Sequence, residues 1–185
     1  MLIDDQSLFE YDYSGRPQTR RLEDQVIAAI QRVSKAAVHV NGEEISSIQG
    51  GLLILLGVAV GDTEEEARIL AAKCAGLRIF DDEERHMNRS ITDARGSFLV
   101  ISQFTLLADC RKGRRPSFTD AAPPEDAEPL VEIFVDTLKE QGFTVKTGIF
   151  GARMEISLVN SGPVTIILDS GVFRQSRRKS KRDGT

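Results

Sequence analysis

The side chains that could do chemistry are concentrated in two short segments of the chain. Residues 102–105 follow an apolar run, and residues 160–165 surround a glycine-proline pair. Hydroxyl and amide groups at such positions can serve catalysis, or they can satisfy the backbone of a turn. A serine or threonine nucleophile also needs a partner base, and none lies nearby in the sequence. The candidate groups are Ser102, Gln103 and Thr105 in the first segment, and Asn160, Ser161 and Thr165 in the second.

The usual acid–base and metal-binding motifs are missing from the sequence. Its two histidines, His39 and His86, lie beside a turn and in a polar stretch, where a surface position is the more ordinary role. Cys74 and Cys110 form no CxxC pair, and two cysteines give no disulfide framework. HExxH, GxSxG and glycine-rich phosphate-loop patterns do not occur. The sequence therefore predicts neither a metal nor another cofactor.

Positive charge is concentrated in one internal segment and near the C-terminal end. Four basic residues occur within residues 111–115, directly after the first polar segment, and six more follow residue 173 against a single acid. The whole chain carries a net charge of -4, which argues against a globally basic nucleic-acid binder. The internal cluster is either a solvated face or a docking site for a phosphate backbone. It consists of Arg111, Lys112, Arg114 and Arg115.

The hydrophobic pattern predicts one α/β domain in which strands outnumber helices. Asn41-Gly42 between two extended segments indicates a two-residue hairpin, because a type I′ turn requires positive φ at both positions. The unalternating apolar run 52–58 is typical of a strand buried on both faces. Helices with one apolar face are expected after Asp62 or Thr63 and after Pro123-Pro124. Further strands are expected at residues 26–30, 37–40, 97–101, 154–159 and 164–168.

Composition divides the chain into a central domain and two polar ends. Residues 1–24 are mixed in charge without clean periodicity, and we interpret them as a flexible N-terminal extension. Residues 25–170 form the predicted domain, and residues 171–185 form a basic tail with the composition of disordered segments. The start carries acids instead of a basic n-region, and no apolar run approaches the roughly 20 residues of a membrane span. These features predict a cytoplasmic protein with no membrane partner.

The two polar segments together resemble signatures of the D-aminoacyl-tRNA deacylase family, also described as D-tyrosyl-tRNA(Tyr) deacylases. Ser102-Gln103-Phe104-Thr105-Leu106 looks like the family's SQxxL motif, and Asn160-Ser161-Gly162-Pro163-Val164-Thr165 looks like its NxGPxT motif. The similarity extends from about Val26 to Asp169. Further matching blocks occur in the same order at residues 30–33, 50–53, 77–80, 108–118 and 148–152.

The resemblance implies a fold, an assembly and a site. The fold is a single α/β domain of mixed, barrel-like β-sheets with two main amphipathic helices, and the assembly is a homodimer with active sites at the subunit interface. The Gly162-Pro163 bond is expected to be cis and to project from one subunit into the pocket of its partner. The implied catalytic residues are Ser102, Gln103, Phe104 and Thr105, and those for substrate binding and chiral selection are Gly162, Pro163, Asn160, Thr165, Arg32 and Met154. The basic cluster of Arg111, Lys112, Arg114 and Arg115 is assigned to tRNA binding.

The implied reaction is hydrolysis of the ester bond of D-aminoacyl-tRNA, with mischarged glycyl-tRNA as a further substrate and L-aminoacyl-tRNA rejected, as chiral proofreading in translation. The terminal ribose 2′-hydroxyl of the tRNA assists, so the protein orients the ester and stabilises its oxyanion with main-chain N–H groups near Phe104 and Thr105. One rival is an esterase with Thr105 or Ser102 as nucleophile and an acyl-enzyme intermediate. A second rival is an RNA-binding module without catalysis, which uses the internal basic cluster and the tail.

Overall fold

One mixed sheet and two helices carry the fold. The computed structural model describes residues 10–11, 17–18, 25–111 and 113–171. Most of the predicted N-terminal extension, Lys112 and the tail from residue 172 lie outside them. In chain order the elements are β1 (Glu10–Tyr11), β2 (Pro17–Gln18), β3 (Ile27–Val40), β4 (Glu43–Ile48), β5 (Gly51–Gly57), α1 (Glu64–Ala75), β6 (Phe80–Asp81), β7 (Met87–Arg89), β8 (Ser97–Ser102), a 3-10 helix (Phe104–Leu107), α2 (Pro124–Glu140), β9 (Val145–Thr147) and β10 (Glu155–Asp169).

The strands of the main sheet follow the order β10-β3-β5-β8-β9, and β4 also pairs with β3. β5, β8 and β9 are parallel neighbours, whereas β3 is antiparallel to β4, β5 and β10. β3 pairs with β5 as far as Val33 and with β4 from Ala36 onward, so one strand serves two parts of the sheet. The result is a nearly closed, barrel-like sheet of mixed direction, which confirms the expected fold class.

β3 and β10 are each one long strand where the sequence pattern predicted two. The predicted strands 26–30 and 37–40 belong mainly to β3, which continues through the polar residues between them because neighbouring strands pair with these residues. The predicted strands 154–159 and 164–168 are joined within β10 across a bulge at residues 161–164. The sequence predicts neither β1 and β2, which pair with each other inside the predicted extension, nor β6, β7 and β9. Strands of two or three residues carry too little periodicity.

The predicted hairpin and the predicted doubly buried strand are both confirmed. Asn41 and Gly42 have φ values of 52° and 85°, and they form the two-residue connection between β3 and β4. Side chains of β5 alternate between two cores: Leu52 and Leu56 pack with the helices, while Leu53 packs on the opposite face of the sheet. Because β5 is anchored on both faces, its C-terminal end is a firm base for the segment that follows β8.

Both helices begin where the sequence predicts. Thr63 is the N-cap of α1, and its backbone N–H donates to the Glu66 carboxylate (2.8 Å). α2 begins at Pro124, and Gly142, just beyond its end, has a φ of 87°. Side chains from both helices enter one core with β5 and β8. Within the described ranges, no helix has the length and apolar character needed to cross a bilayer.

Candidate active site

The first polar segment, residues 102–105, lies at one end of the sheet, where β8 ends and the 3-10 helix begins. The Gln103 N–H donates to the Leu56 carbonyl near the end of β5 (2.7 Å), so the chain leaving β8 is fixed to its neighbour. Gly57 permits this approach, since a β-carbon there would lie 3.1 Å from the Gln103 carbonyl oxygen. The side chain of Phe104 is exposed, and its ring packs edge-on against Phe118 with 5.1 Å between centroids.

A cleft of about 590 Å³ opens beside this end of the sheet. Among the described residues that line it, Ser102 and Gln103 are the polar ones, and the remainder are apolar or glycine. Thr105 lies next to the cleft, and its hydroxyl accepts a hydrogen bond from the Gln103 side-chain amide. The apolar lining is formed by Leu56, Val58, Ile101, Phe104, Phe118, Ala121, Ala122, Pro124, Ala127, Val131, Phe150, Gly151, Ala152, Met154 and Ile156.

The two histidines lie outside the lining of this cleft. His39 is near the β3–β4 turn with its Nε2 4.0 Å from Glu44, and His86 is near the β6–β7 turn with its Nδ1 3.6 Å from Glu84. Over the part of the chain that the structure describes, no cluster of three or more His, Cys, Asp or Glu side chains could hold a metal ion. Ser102 and Gln103 in the lining have hydroxyl and amide groups that can form hydrogen bonds to a substrate.

Backbone donors are available where the 3-10 helix begins. The leading N–H groups of a helix lack an acceptor within the helix. Here they belong to Phe104 and Thr105, whereas the N–H of Leu106 reaches the Gln103 carbonyl at 3.3 Å. Backbone N–H groups at the edge of an apolar cleft can stabilise a negatively charged oxygen, because the weakly polar surroundings strengthen the interaction.

The second polar segment forms a bulge in β10 directly opposite Arg32. Across the bulge the β3 partner moves only from Val33 to Gln31, so residues 161–164 stand opposite the single residue between them. The Gly162-Pro163 peptide bond is cis, as expected, and both residues are exposed. The bulge therefore carries the glycine-proline pair out of the plane of pairing.

Two side chains hold this bulge in place. Arg32 is only 7% exposed, and its Nε donates to the Ser161 carbonyl (2.8 Å). The Asn160 side-chain oxygen accepts the Val164 N–H (2.7 Å), and its amide nitrogen donates to the Val164 carbonyl (3.1 Å) and to the Thr165 hydroxyl (3.1 Å). The structure thus places the Asn160 amide across the loop, with Thr165 beside it.

The two polar segments lie at different levels of the sheet within one chain. Arg32 lies opposite Leu52 in the β3–β5 register, whereas Gln103 is bonded to Leu56. These levels differ by about 13 Å at roughly 3.3 Å per strand residue. β10 reaches the cleft through Ile156 near its start, six residues before Gly162. The structure brings Ser102, Gln103, Phe104 and Met154 together at the cleft, with Thr105 adjacent, and leaves Arg32, Asn160, Gly162, Pro163 and Thr165 together elsewhere.

The described residues of the basic cluster, Arg111, Arg114 and Arg115, are exposed and follow the 3-10 helix in the chain. The guanidinium of Arg111 binds both carboxylate oxygens of Asp109, at 2.8 and 2.9 Å, so part of its charge is neutralised locally. Arg114 and Arg115 are exposed. Lys112, assigned with them to tRNA binding, lies outside the described residues.

Three further residues belong to these sites although the sequence pattern gave them no role. Phe118 and Phe150 line the cleft, and each lies in a block that matches the family without being one of its two signatures. Asp81 accepts a hydrogen bond from Arg32 Nη1 at 2.9 Å. Asp81 can be recognised only from the structure. A buried arginine requires an anionic partner, but sequence spacing does not show which acid provides it.

The fold and the site define a barrel-like α/β protein with an apolar cleft edged by hydroxyl, amide and backbone donors. The family model for D-Tyr-tRNA(Tyr) deacylase matches residues 29–169. A D-aminoacyl-tRNA deacylase from Roseiflexus castenholzii is 60% identical over 155 residues, which cover 84% of this chain and 99% of that protein. The chain therefore belongs to the D-Tyr-tRNA(Tyr) deacylase family.

A second relative has the same description, and two solved structures have a similar fold. A D-aminoacyl-tRNA deacylase from Thermotoga petrophila is 54% identical over 143 residues, covering 77% of this chain and 96% of that protein. A solved structure described as c-Myc DNA Unwinding Element Binding Protein is 40% identical, with a TM-score of 0.72, and the match covers 77% of this chain and 97% of that chain. A probable eukaryotic D-amino acid tRNA deacylase shares the fold at 17% identity, with a TM-score of 0.68 and coverage of 78% and 99%.

Proposed function

We propose that this D-aminoacyl-tRNA deacylase acts as a homodimer in which the Gly162-Pro163 loop of one subunit completes the cleft of the other. The separation of the loop from the cleft within one chain carries this proposal, because the two signatures can act on one substrate only if a second copy supplies one of them. β10 is the terminal strand of the sheet order, and Val159 and Ile167 on either side of the loop expose apolar side chains. Association of two copies along this strand would bury both.

The reaction is hydrolysis of the ester that joins the amino acid to the terminal ribose of tRNA. Water adds to the carbonyl carbon, the ribose oxygen leaves with a proton, and free amino acid and tRNA are released. The carbonyl oxygen receives hydrogen bonds from the N–H groups of Phe104 and Thr105, which stabilise the negative charge that develops on it. The 2′-hydroxyl of the same ribose transfers protons between the water and the leaving oxygen. Ser102 and Gln103 contribute by orienting the ester.

Chirality is measured by the loop through the α-amino group of the substrate. Carbonyl groups of Gly162 and Pro163 accept hydrogen bonds from that group, which fixes the directions of the remaining substituents on the α-carbon. A D side chain then points outward, whereas an L side chain meets the backbone of the loop. Because L side chains are excluded by contact with the loop backbone, many different D side chains are accepted. Glycine, which has no side chain, is accepted as well.

The acceptor end of the tRNA is held by the basic loop beside the cleft. Arg111, Lys112, Arg114 and Arg115 follow the 3-10 helix closely in sequence, so positive charge is available near the catalytic donors. Lys and Arg contacts to phosphates position a nucleic acid without reading its sequence. Such contacts suit an enzyme that proofreads many charged tRNAs, and we assign this activity to the cytoplasm.

Hydrolysis of matched charged tRNAs tests the proposed specificity. The purified protein is incubated with D-tyrosyl-, L-tyrosyl- and glycyl-tRNA, and released amino acid is followed over time. We expect rapid release of D-tyrosine and glycine and negligible release of L-tyrosine. Rapid cleavage of L-tyrosyl-tRNA would show that the loop does not select by handedness.

A mixed dimer tests whether the loop acts across the interface. One chain carries Gly162→Ala and the other carries Gln103→Ala, with different affinity tags so that the heterodimer is isolated by two purification steps. In the proposed arrangement the intact cleft of the first chain receives the intact loop of the second, so one working site is restored. Both homodimers are defective controls. A verified heterodimer with no more activity than either homodimer would contradict the arrangement.

A further inference from the structure

Arg32 links the glycine-proline loop to a separate part of the fold. Its Nε donates to the Ser161 carbonyl (2.8 Å), while its Nη1 donates to the Ile79 carbonyl (2.7 Å) and to Asp81 Oδ1 (2.9 Å). The side chain is 8% exposed, so the cation lies in surroundings where it needs an anionic partner. Asp81 provides that partner from outside the main sheet.

The planar guanidinium transmits this anchoring to the loop. Because the guanidinium nitrogens are fixed in one plane, the hydrogen bonds that Nη1 donates also determine the direction in which Nε donates. Asp81 belongs to β6, which pairs with β7 in a two-stranded hairpin where Asp81 stands opposite Met87. The hairpin therefore holds one side of the guanidinium, and the loop residue Ser161 is bound at the other.

We propose that Asp81 is a positioning residue for deacylation: through Arg32 it holds the Gly162-Pro163 loop in the orientation that binds the α-amino group of the substrate. This inference rests on the proposed role of the loop. Asp81 is hydrogen-bonded to Arg32, and Arg32 donates to the Ser161 carbonyl, so Asp81 acts on catalysis through these two residues. Gly162 is part of the same contact, since a β-carbon there would lie 3.1 Å from Arg32 Nη2.

Replacing the carboxylate by an amide is the direct test. In Asp81→Asn the Ile79 carbonyl still binds Arg32, so the protein is expected to fold, but the charge that fixes the guanidinium is lost. Because Asp81 is 46% exposed, we expect a moderate effect, about a tenfold fall in kcat for D-tyrosyl-tRNA with KM little changed. Discrimination between D- and L-tyrosyl-tRNA narrows as the loop loses its fixed direction. Asp81→Glu, which keeps the charge, recovers part of both.

Glu140→Gln is the matched control. It removes a carboxylate 3.9 Å from Arg68, on exposed side chains at the end of α2, and changes the net charge by the same amount. We expect wild-type kcat and wild-type discrimination from it. Wild-type kcat and discrimination in folded Asp81→Asn would overturn the inference, as would a loss that Asp81→Glu shares in full. If Asp81→Asn does not fold, Asp81→Glu alone decides: unchanged discrimination contradicts the inference, and a partial loss supports it.

A second mixed dimer separates this inference from the proposed trans arrangement. Asp81→Asn is paired with Gln103→Ala, so that the intact cleft of the first chain receives the intact loop of the second. Recovery of kcat supports both ideas. A defective Asp81→Asn homodimer without recovery in the mixed dimer supports the role of Asp81 and contradicts the trans loop, whereas a fully active Asp81→Asn homodimer contradicts the role of Asp81 alone.

Discussion

Replacing Gly162 by alanine tests whether deacylation depends on the backbone shape of the loop. Gly162 has a φ of 139°, a conformation that residues with a β-carbon rarely adopt. A β-carbon there would lie 2.6 Å from Val164 Cγ2, 2.8 Å from the Val164 nitrogen and 3.1 Å from Arg32. Since the nitrogen belongs to the backbone, rotation of side chains cannot relieve the contact, and the loop has to move.

The size of the effect follows from the conformational cost. A residue held in a sparsely populated backbone region costs about 1–3 kcal/mol. If the loop avoids that cost by moving, the conformation that binds substrate becomes about 5- to 150-fold less populated. We expect kcat/KM for D-tyrosyl-tRNA to fall by a factor in the upper part of this range, because the contact with Val164 adds to the backbone cost.

The assay compares Gly162→Ala with Gly142→Ala. Gly142 has a φ of 87°, and no described atom outside its immediate neighbours lies within 4 Å of a β-carbon placed there. It follows α2 and is remote from the loop in sequence. The control therefore carries a similar backbone penalty, which lowers Tm while kcat/KM stays at the wild-type value. A folded Gly162→Ala dimer with undiminished kcat/KM would refute the reasoning.

Three other predictions concern the catalytic segment, the basic loop and the cysteines. Thr105→Ala should lower kcat by only about two- to tenfold, which is the effect of one lost hydrogen bond, and mass spectrometry of the wild-type protein should show no acyl adduct. Near-complete loss of activity together with a trapped adduct on the wild-type protein would instead establish Thr105 as a nucleophile. Arg114→Ala and Arg115→Ala should each reduce the steepness with which log tRNA affinity falls against log salt concentration by about 1, while discrimination between D- and L-substrates stays unchanged. An unaltered slope would show that these residues do not contact the RNA. Burial raises the pKa of the Cys74 thiol to about 12. At pH 8 an alkylating reagent should therefore modify the exposed Cys110 and should leave Cys74 unmodified until the protein is unfolded. Equal labelling of both cysteines in the native protein would contradict this prediction.

The elements with strong local signals could be predicted from the sequence, and those defined by partners could not. Asn41-Gly42 specifies its turn through backbone preferences alone, and the run in β5 shows its burial directly. β3 was divided in the prediction because polar residues interrupt its apolar pattern. One of these is Arg32, whose burial makes sense only once the bulge of β10 and the hairpin of β6 and β7 are in place.

The candidate site shows the same division. The hydroxyl and amide groups at the end of β8 stand out in the sequence, and their grouping at an apolar cleft agrees with that pattern. Sequence spacing could not show that Asn160 closes its own loop, since the register shift between β3 and β10 determines which groups meet. Nor could it show that the two signatures lie at different levels of one sheet, because that depends on how β3, β5 and β10 are aligned.

The bulge in β10 also affects how the protein behaves in a crowded solution. A terminal strand presents unpaired N–H and C=O groups, which invite strand addition and aggregation when the edge is long and flat. In β10 the regular pairing with β3 is limited to two short stretches, Glu155–Val159 and Thr165–Asp169. Between them lie Asn160 and residues 161–164, which carry the glycine-proline pair. Before two subunits associate along this strand, an incoming chain can match the interrupted edge in few registers, so residues 161–164 also limit indiscriminate polymerisation.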